Sequence, residues 1–553
     1  MRQPTGPVVY REKLVLFLIL ALFLIFAGVL FQKSIILHSF YLAKAESQYK
    51  VKKETPLWRG EIYSQEKTSP ENTLLATNIV FYDLLVVHRN VKDKIKTARE
   101  LAKILNRSEK EIFEKINNKA LYIPPLARKL SAKTAEKIEK LNLKGVHLVP
   151  QVKRFWPEKK LAAHLLGFVD AEGKGRYGVE EYYDSILQSP EQAVFVYKSQ
   201  LPKIAEDLKD TKGATLYLTI DSAIQYMTEK ILREGIKTYQ ARSGSAIVVE
   251  PQTGKILAMA AIPNFDLNKY NKVKDYSLFL NPNISLTWEP GSVFKPVCMA
   301  AALDLDKVTP DTTNIFGSST KVGPYTIRTA TGRAYGKETM TQVLENSDNV
   351  AMVWVANLIG KKEFFKYIKK FGFGSLTGID LAGETAGEVK NVKSWGDIHL
   401  ATFSFGQGLT VTPLQMLMAF ATIANSGKLM KPFVVEKIVK PNGETKTIQP
   451  HQVRQVIKEE TAKELTQMLV SVVENGFGKK ARVPGYKIAG KTGTAQVPNP
   501  NGTGYSETEK IVSFAGFAPA DNPRFAAIIK LDYPQKVKWA SDSAAPLFGK
   551  LAR

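Results

Sequence analysis

The chain has 553 residues, 44% hydrophobic and 24% charged, the composition of an ordinary globular protein with room for more than one domain. Its 77 basic and 53 acidic residues leave a net charge of +24, which favours acidic partners such as anionic lipid headgroups or wall polymers. No nucleic-acid-binding motif accompanies that charge, and the single cysteine, Cys298, excludes an intrachain disulfide.

Residues 14–31 form an unbroken run without a charged side chain. At about 1.5 Å per residue the run spans roughly 27 Å, close to a hydrocarbon core. Arg2, Arg11 and Lys13 precede it against one acid, Glu12, which predicts a cytoplasmic N-terminus and an exported remainder. A cleaved signal peptide is the rival reading, with small-x-small spacing at Ala43 and Ala45. The length of the run favours a retained single-pass anchor. Residues 1–13 would then be a cytoplasmic tail, 14–31 a transmembrane helix and 32–57 a connector.

Residues 78–87 are β-branched and aromatic and predict a strand. Residues 94–105 and 108–116, rich in Lys and Glu, predict surface helices, the second opened by a capping box of Ser108 and Glu111. Residues 58–214 lack the residue types of a catalytic centre and read as a supporting domain. The pattern changes at about Thr215. A helix is expected from Ile220-Asp221-Ser222 to Tyr239, capped by Asp221 or Ser222. Strands at 245–250 and 255–260 flank a turn at Pro251-Gln252-Thr253-Gly254. A second hairpin joins 511–517 to 524–531, and 544–553 is a last short helix. Most of the chain between the hairpins reads as helical. Strands at both ends with helices between predict an α+β fold, one antiparallel sheet covered by helices, over residues 215–553.

Three short motifs carry the chemistry. Ser292 and Lys295 stand three apart at the start of an apolar helix, which puts an amine about one turn from a hydroxyl. A serine is a poor nucleophile until an adjacent base takes its proton. Ser347-Asp348-Asn349 follows, then Lys491-Thr492-Gly493-Thr494. Each alone has a bland reading, an exposed lysine on a helix or a strand ending in glycine. All three in this order leave little room for chance. The six histidines show no ligand spacing, so no metal site and no cofactor is expected. Cys298, in the apolar helix, is expected to pack as a small hydrophobe.

At these motifs the chain resembles the class B penicillin-binding proteins, monofunctional transpeptidases of bacterial cell-wall synthesis. Leu216-Tyr217-Leu218-Thr219-Ile220-Asp221, the Pro251–Gly254 turn and Gly406-Gln407-Gly408-Leu409-Thr410-Val411-Thr412-Pro413-Leu414-Gln415 are similar to further signatures of that family. Arg59-Gly60-Glu61-Ile62 and Gly175-Arg176-Tyr177-Gly178-Val179-Glu180 are similar to motifs of its pedestal, or dimerisation-like, domain. The chain departs from the pattern after Ile62, where Tyr63-Ser64-Gln65-Glu66 replaces an Asp-Arg-x-Gly turn. It departs again before the last helix, where Trp539-Ala540-Ser541-Asp542 replaces a glycine pair.

The resemblance implies a serine β-lactamase-like transpeptidase domain acting on D-Ala-D-Ala stem peptides. Ser292 would attack the penultimate D-alanine carbonyl and Lys295 would accept its proton, which requires an uncharged amine. The backbone N–H groups of Ser292 and Thr494 would form the oxyanion hole. Ser347 would relay a proton to the leaving amine and Asn349 would hold the peptide. Lys491 would add positive potential, Thr492 and Thr494 would meet the terminal carboxylate, and Gly493 would let substrate backbone approach an edge strand. The wording around Ser292 and Leu409 is closer to the septal branch than to the side-wall elongation branch. Partners implied are peptidoglycan stem peptides, β-lactam antibiotics, the inner membrane, a multi-pass membrane glycan polymerase and division proteins, and no nucleic acid. Competing readings are a β-lactamase or carboxypeptidase, a non-catalytic divisome scaffold and a β-lactam sensor. A lactamase needs a positioned water-activating base, and a sensor needs several membrane passes.

Overall fold

The computed structural model describes residues 8–38, 50–53, 58–66, 72–118, 124–189, 194–197, 212–499 and 504–553. Residues 1–7 of the expected tail, part of the connector, and Ala43 and Ala45 lie outside these. The chain divides into two compact units, one of Met1–Leu57, Val80–Val152 and Pro190–Thr211, the other of Trp58–Ile79, Lys153–Ser189 and Lys212–Arg553.

In the first unit an N-terminal helix runs over Val8–Phe31 and continues as a π-helical turn over Gln32–Ile36. Its stretch Lys13–Ile36 has a mean hydropathy of 3.2 and exposed side chains, long and apolar enough to cross a membrane. The same unit holds helices Lys94–Leu105, Glu109–Asn117 and Ala132–Glu139, which close over a core of Leu84, Ala98, Leu101, Ile112, Ile116 and Ile138. Ser108 stands at the N-cap, but its side chain makes no capping bond. The capping box is not formed, because Glu111 turns instead to Lys115, 2.6 Å away and one helical turn on.

The second unit is built on a five-stranded sheet: β1 (Ser243–Val249), β2 (Ile256–Ile262), β3 (Ala489–Pro498), β4 (Tyr505–Ala518) and β5 (Phe525–Asp532). The order is β2-β1-β5-β4-β3, every pair antiparallel, so β3 is an edge. Both faces are covered, which explains the near-continuous apolar runs in β1 and β5. On one face Ala246, Val248, Ile529 and Leu531 pack with helices α1 (Ser222–Tyr239) and α6 (Ala544–Leu551). On the other, Ile247, Val249, Ala526 and Ile528 join α2 (Lys295–Asp304), α3 (Asn349–Ile359), α4 (Pro413–Ala424) and α5 (Glu459–Glu474). A two-residue period thus divides each strand between two helical layers.

The helix starts follow local chemistry. Asp221 caps α1 by accepting from the Ile224 N–H at 3.0 Å. The Thr412-Pro413-Leu414-Gln415 signature is a helix start: Thr412 Oγ1 accepts from the Gln415 N–H, and Gln415 Oε1 accepts from the Thr412 N–H. The region between the hairpins is less purely helical than its sequence suggests. Three small antiparallel pairs interrupt it: Thr313–Phe316 with Gly336–Thr339, Ser319–Val322 with Tyr325–Arg328, and Lys428–Met430 with Gln452–Gln455.

The two front motifs meet inside this unit. Arg59 Nε donates to Glu180 Oε2 at 3.0 Å and Arg59 Nη1 to Asp184 Oδ1 at 2.6 Å. Arg154 joins them, donating to Glu180 Oε1 at 2.7 Å and to the Gly60 carbonyl at 2.7 Å. Arg59, Arg154 and Glu180 are all buried, so each charge depends on its partners.

Candidate active site

The serine motif is a turn seated on a glycine. Gly291–Phe294 is a short 3₁₀ helix that runs directly into α2. Gly291 adopts φ +61°, and its N–H donates to the Gly406 carbonyl at 2.9 Å. A Cβ on Gly406, itself at φ +79°, would lie 2.3 Å from the Gly291 oxygen. Gly406, with no side chain, therefore lets two backbones touch under the serine turn. Trp288 and Val411 bond each other's backbones at 3.0 Å and continue that seat. Ser292 is half-buried at the helix start, while Lys295 and Cys298 are fully buried among the apolar residues of α2.

The second motif turns sharply. Ser347 lies at φ +53°, strained for a residue with a Cβ. Asp348 then caps α3, its Oδ1 accepting from the Val350 N–H at 2.6 Å and the Ala351 N–H at 3.2 Å. This geometry aims Ser347 at two lysines. Lys295 Nζ donates to the Ser347 carbonyl at 2.5 Å and to Ser347 Oγ at 3.1 Å. Lys491 Nζ, from edge strand β3, donates to the same Oγ at 3.0 Å. Ser292 takes part in none of these side-chain bonds. Asn349 Nδ2 donates to the Arg328 carbonyl at 3.1 Å, on the small hairpin beside the site.

On β3, Lys491 also reaches the Thr492 carbonyl and Oγ1, at 3.2 and 3.3 Å. Thr494 Oγ1 accepts from the Ala540 N–H at 3.1 Å, which leaves its own O–H free to donate. Ala540 belongs to the Trp539-Ala540-Ser541-Asp542 segment before the last helix. Gly493 differs from its expected use. A Cβ there would meet Ser513 Oγ at 2.5 Å, Val293 Cβ at 3.0 Å and the Pro290 oxygen at 3.1 Å. Its missing side chain makes room for the serine turn beneath the strand.

Burial decides the electrostatics. Both lysines are fully buried, and a charge there loses its hydration. Burial, and then the charge of Lys491, hold the Lys295 amine well below the ordinary lysine value, against the pull of Asp348 and Glu338. Burial lowers Lys491 to about 7. The arrangement can therefore hold an uncharged amine near neutral pH, joined through one hydroxyl to a second amine that exchanges protons in the same range. That is a proton-transfer relay ending beside a helix-start serine.

Sequence reading missed Glu338, which is 2% exposed on a short strand and lies against Asp348. No sequence signal marks it: a lone glutamate in Gly-Lys-Glu-Thr reads as a surface residue.

The sheet, the serine turn and the shared Ser347 hydroxyl together make this the candidate site for a serine acyltransferase. Residues 244–553 match the family described as the penicillin binding protein transpeptidase domain, and residues 54–218 match the penicillin-binding protein dimerisation domain. The chain belongs to the penicillin-binding protein transpeptidase family. It is 34% identical to stage V sporulation protein D of Bacillus subtilis over 506 residues, covering 90% of this chain and 77% of that protein. It is 32% identical to the peptidoglycan D,D-transpeptidase FtsI of Escherichia coli over 408 residues, 72% of this chain and 66% of that one. The crystal structure of penicillin-binding protein 3 from Mycobacterium tuberculosis, complexed with aztreonam, aligns with a TM-score of 0.70 at 28% identity, covering 90% of this chain and 95% of that one.

Proposed function

We propose that this protein is a membrane-anchored peptidoglycan D,D-transpeptidase of the septal type, forming an acyl-enzyme at Ser292. The observation that carries the reading is the convergence of Lys295 and Lys491 on Ser347 Oγ, at 3.1 and 3.0 Å, beside the Ser292 turn. Neutral Lys295 takes the Ser292 proton as Oγ attacks the penultimate D-alanine carbonyl. The N–H groups of Ser292 and Thr494 stabilise the oxyanion, helped by the dipole of the helix start. The proton passes through Ser347 to the leaving D-alanine, and an acceptor amine from a second stem peptide resolves the ester. Asn349 holds the peptide, Lys491 adds positive potential, and Thr492 and Thr494 meet the terminal carboxylate. β-Lactams would be trapped at the same serine.

On this reading residues 14–31 anchor the chain with its N-terminus in the cytoplasm and its catalytic unit outside. Residues 58–214 serve as the pedestal and 215–553 as the transpeptidase domain. Glycan would come from a separate multi-pass membrane polymerase, and division proteins would place the pair at the septum. The family match and the name of the E. coli relative support the reaction; the motif wording supports the septum. The test is transpeptidation in vitro, with a D-Ala-D-Ala stem-peptide donor and an amine acceptor. Product must form with the full chain and vanish in Ser292→Ala. Hydrolysis of the donor without transfer would assign a carboxypeptidase instead.

A further inference from the structure

A second acidic device lies directly behind Ser347. Glu338 sits on the short strand Gly336–Thr339, and its side chain is buried together with that of Asp348. Glu338 Oε1 accepts from Asn346 Nδ2 at 2.8 Å, while its carboxyl lies within hydrogen-bonding reach of Asp348. Glu338 therefore grips the residue before Ser347 and the residue after it. Glu338 Oε2 and Asp348 Oδ2 are both buried and receive no N–H or O–H donor among the described residues. Two ionised carboxylates in contact there would each face an unpaired lone pair and a like charge. A shared proton removes both penalties at once, as one oxygen becomes a donor to the other.

We propose that Glu338 is a positioning residue of the acylation reaction: its protonated carboxyl donates to the Asp348 carboxylate, accepts from Asn346 and clamps the Ser347 turn. The inference rests on the transpeptidase reading of the site. The charged groups acting on Glu338 are Asp348 and Lys295, and Lys491 in turn acts on Lys295. Burial first, then the negative charge of Asp348, push the Glu338 carboxyl up to about 7. Glu338 thus gains a negative charge as the pH rises through neutrality. That charge stabilises the Lys295 ammonium and so opposes formation of the free amine. The clamp makes the acylation rate depend on an ionisation that is not Lys295's own.

The test is the second-order rate constant for acylation by a fluorescent penicillin, measured from pH 5.5 to 9.5 on the full chain in detergent micelles. Glu338→Gln keeps a donor to Asp348 and an acceptor for Asn346 but cannot ionise. Its rising limb should move to lower pH by about half a unit or more, roughly a threefold faster reaction on that limb. Glu338→Ala should be slower at every pH, since the turn is released. A Glu338→Gln profile that superimposes on the wild type, or moves to higher pH, overturns the proposal. If Glu338→Gln fails to fold, Asp348→Asn takes its place. It keeps the helix cap and likewise removes one carboxylate from beside Lys295, so the same shift is expected and its absence is equally fatal. A folded wild type that is not acylated at Ser292 at any pH would instead remove the transpeptidase reading, and this inference with it.

Discussion

Lys295 Nζ and Lys491 Nζ donate to one oxygen, Ser347 Oγ, at 3.1 and 3.0 Å, and neither amine is exposed to solvent. Two ammonium groups so placed would repel each other without water to screen them. The pair is stable only with fewer than two charges. Since Ser347 Oγ accepts from both amines, its own proton is left to point out of the pair, toward a leaving group.

This arrangement costs stability, and the cost has a sign. Burial lowers Lys491 from its ordinary 10.5 to about 7, and Lys295 falls in the same direction. Between those values the unfolded chain binds more protons than the folded one, so stability rises with pH across the window. Lys491→Met should fold more stably than wild type at pH 7, by about 1–3 kcal/mol, with a smaller rise in stability toward pH 9.5. It should also lose acylation. Denaturant melts at the two pH values check this, and a variant less stable than wild type at pH 7 contradicts it.

Lys295→Arg puts a fixed cation where the proposed base stands. A guanidinium does not give up its proton inside a protein, and it is too broad for a site that binds two oxygens of Ser347. Acylation by penicillin should fall at least about a hundredfold, the usual share of a general base. Stopped-flow labelling measures it. A loss under about tenfold would give Lys295 a purely electrostatic role.

Gly406 tests the seat of the serine turn. Its φ of +79° and the 2.3 Å approach of the Gly291 oxygen leave no place for a methyl group. Gly406→Ala should cost about 2 kcal/mol or more, and the folded fraction should acylate slowly, because Ser292 is displaced with its turn. A thermal melt with a rate constant corrected for folded protein separates the two effects. Unchanged acylation would mean that the turn holds its position without this contact.

Much of this was legible in the sequence where chemistry is local. Asp221 announces a helix start by side-chain type, and the β1–β2 and β4–β5 hairpins announce themselves by apolar runs around turns. The three short motifs were legible as spacings. Their convergence was not, because it depends on α2, the Ser347 turn and edge strand β3 meeting, contacts between residues far apart in sequence. The small strands Ser319–Val322 and Tyr325–Arg328 were missed because four half-exposed residues carry no periodicity. Gly493 was read for its freedom toward substrate, while its space is taken by Val293 and Ser513, neighbours only the fold supplies. Glu338 was invisible for the same reason: a glutamate becomes unusual only once it is buried against Asp348.

The most direct test of the account is the site of covalent modification. The folded full chain, incubated with penicillin and digested with trypsin, should carry one acyl adduct, on Ser292. Ser292→Ala should carry none while keeping the wild-type melting temperature, since alanine suits a helix start without disturbing the buried residues around it. An adduct on any other residue, or none on folded wild-type protein, would contradict the account.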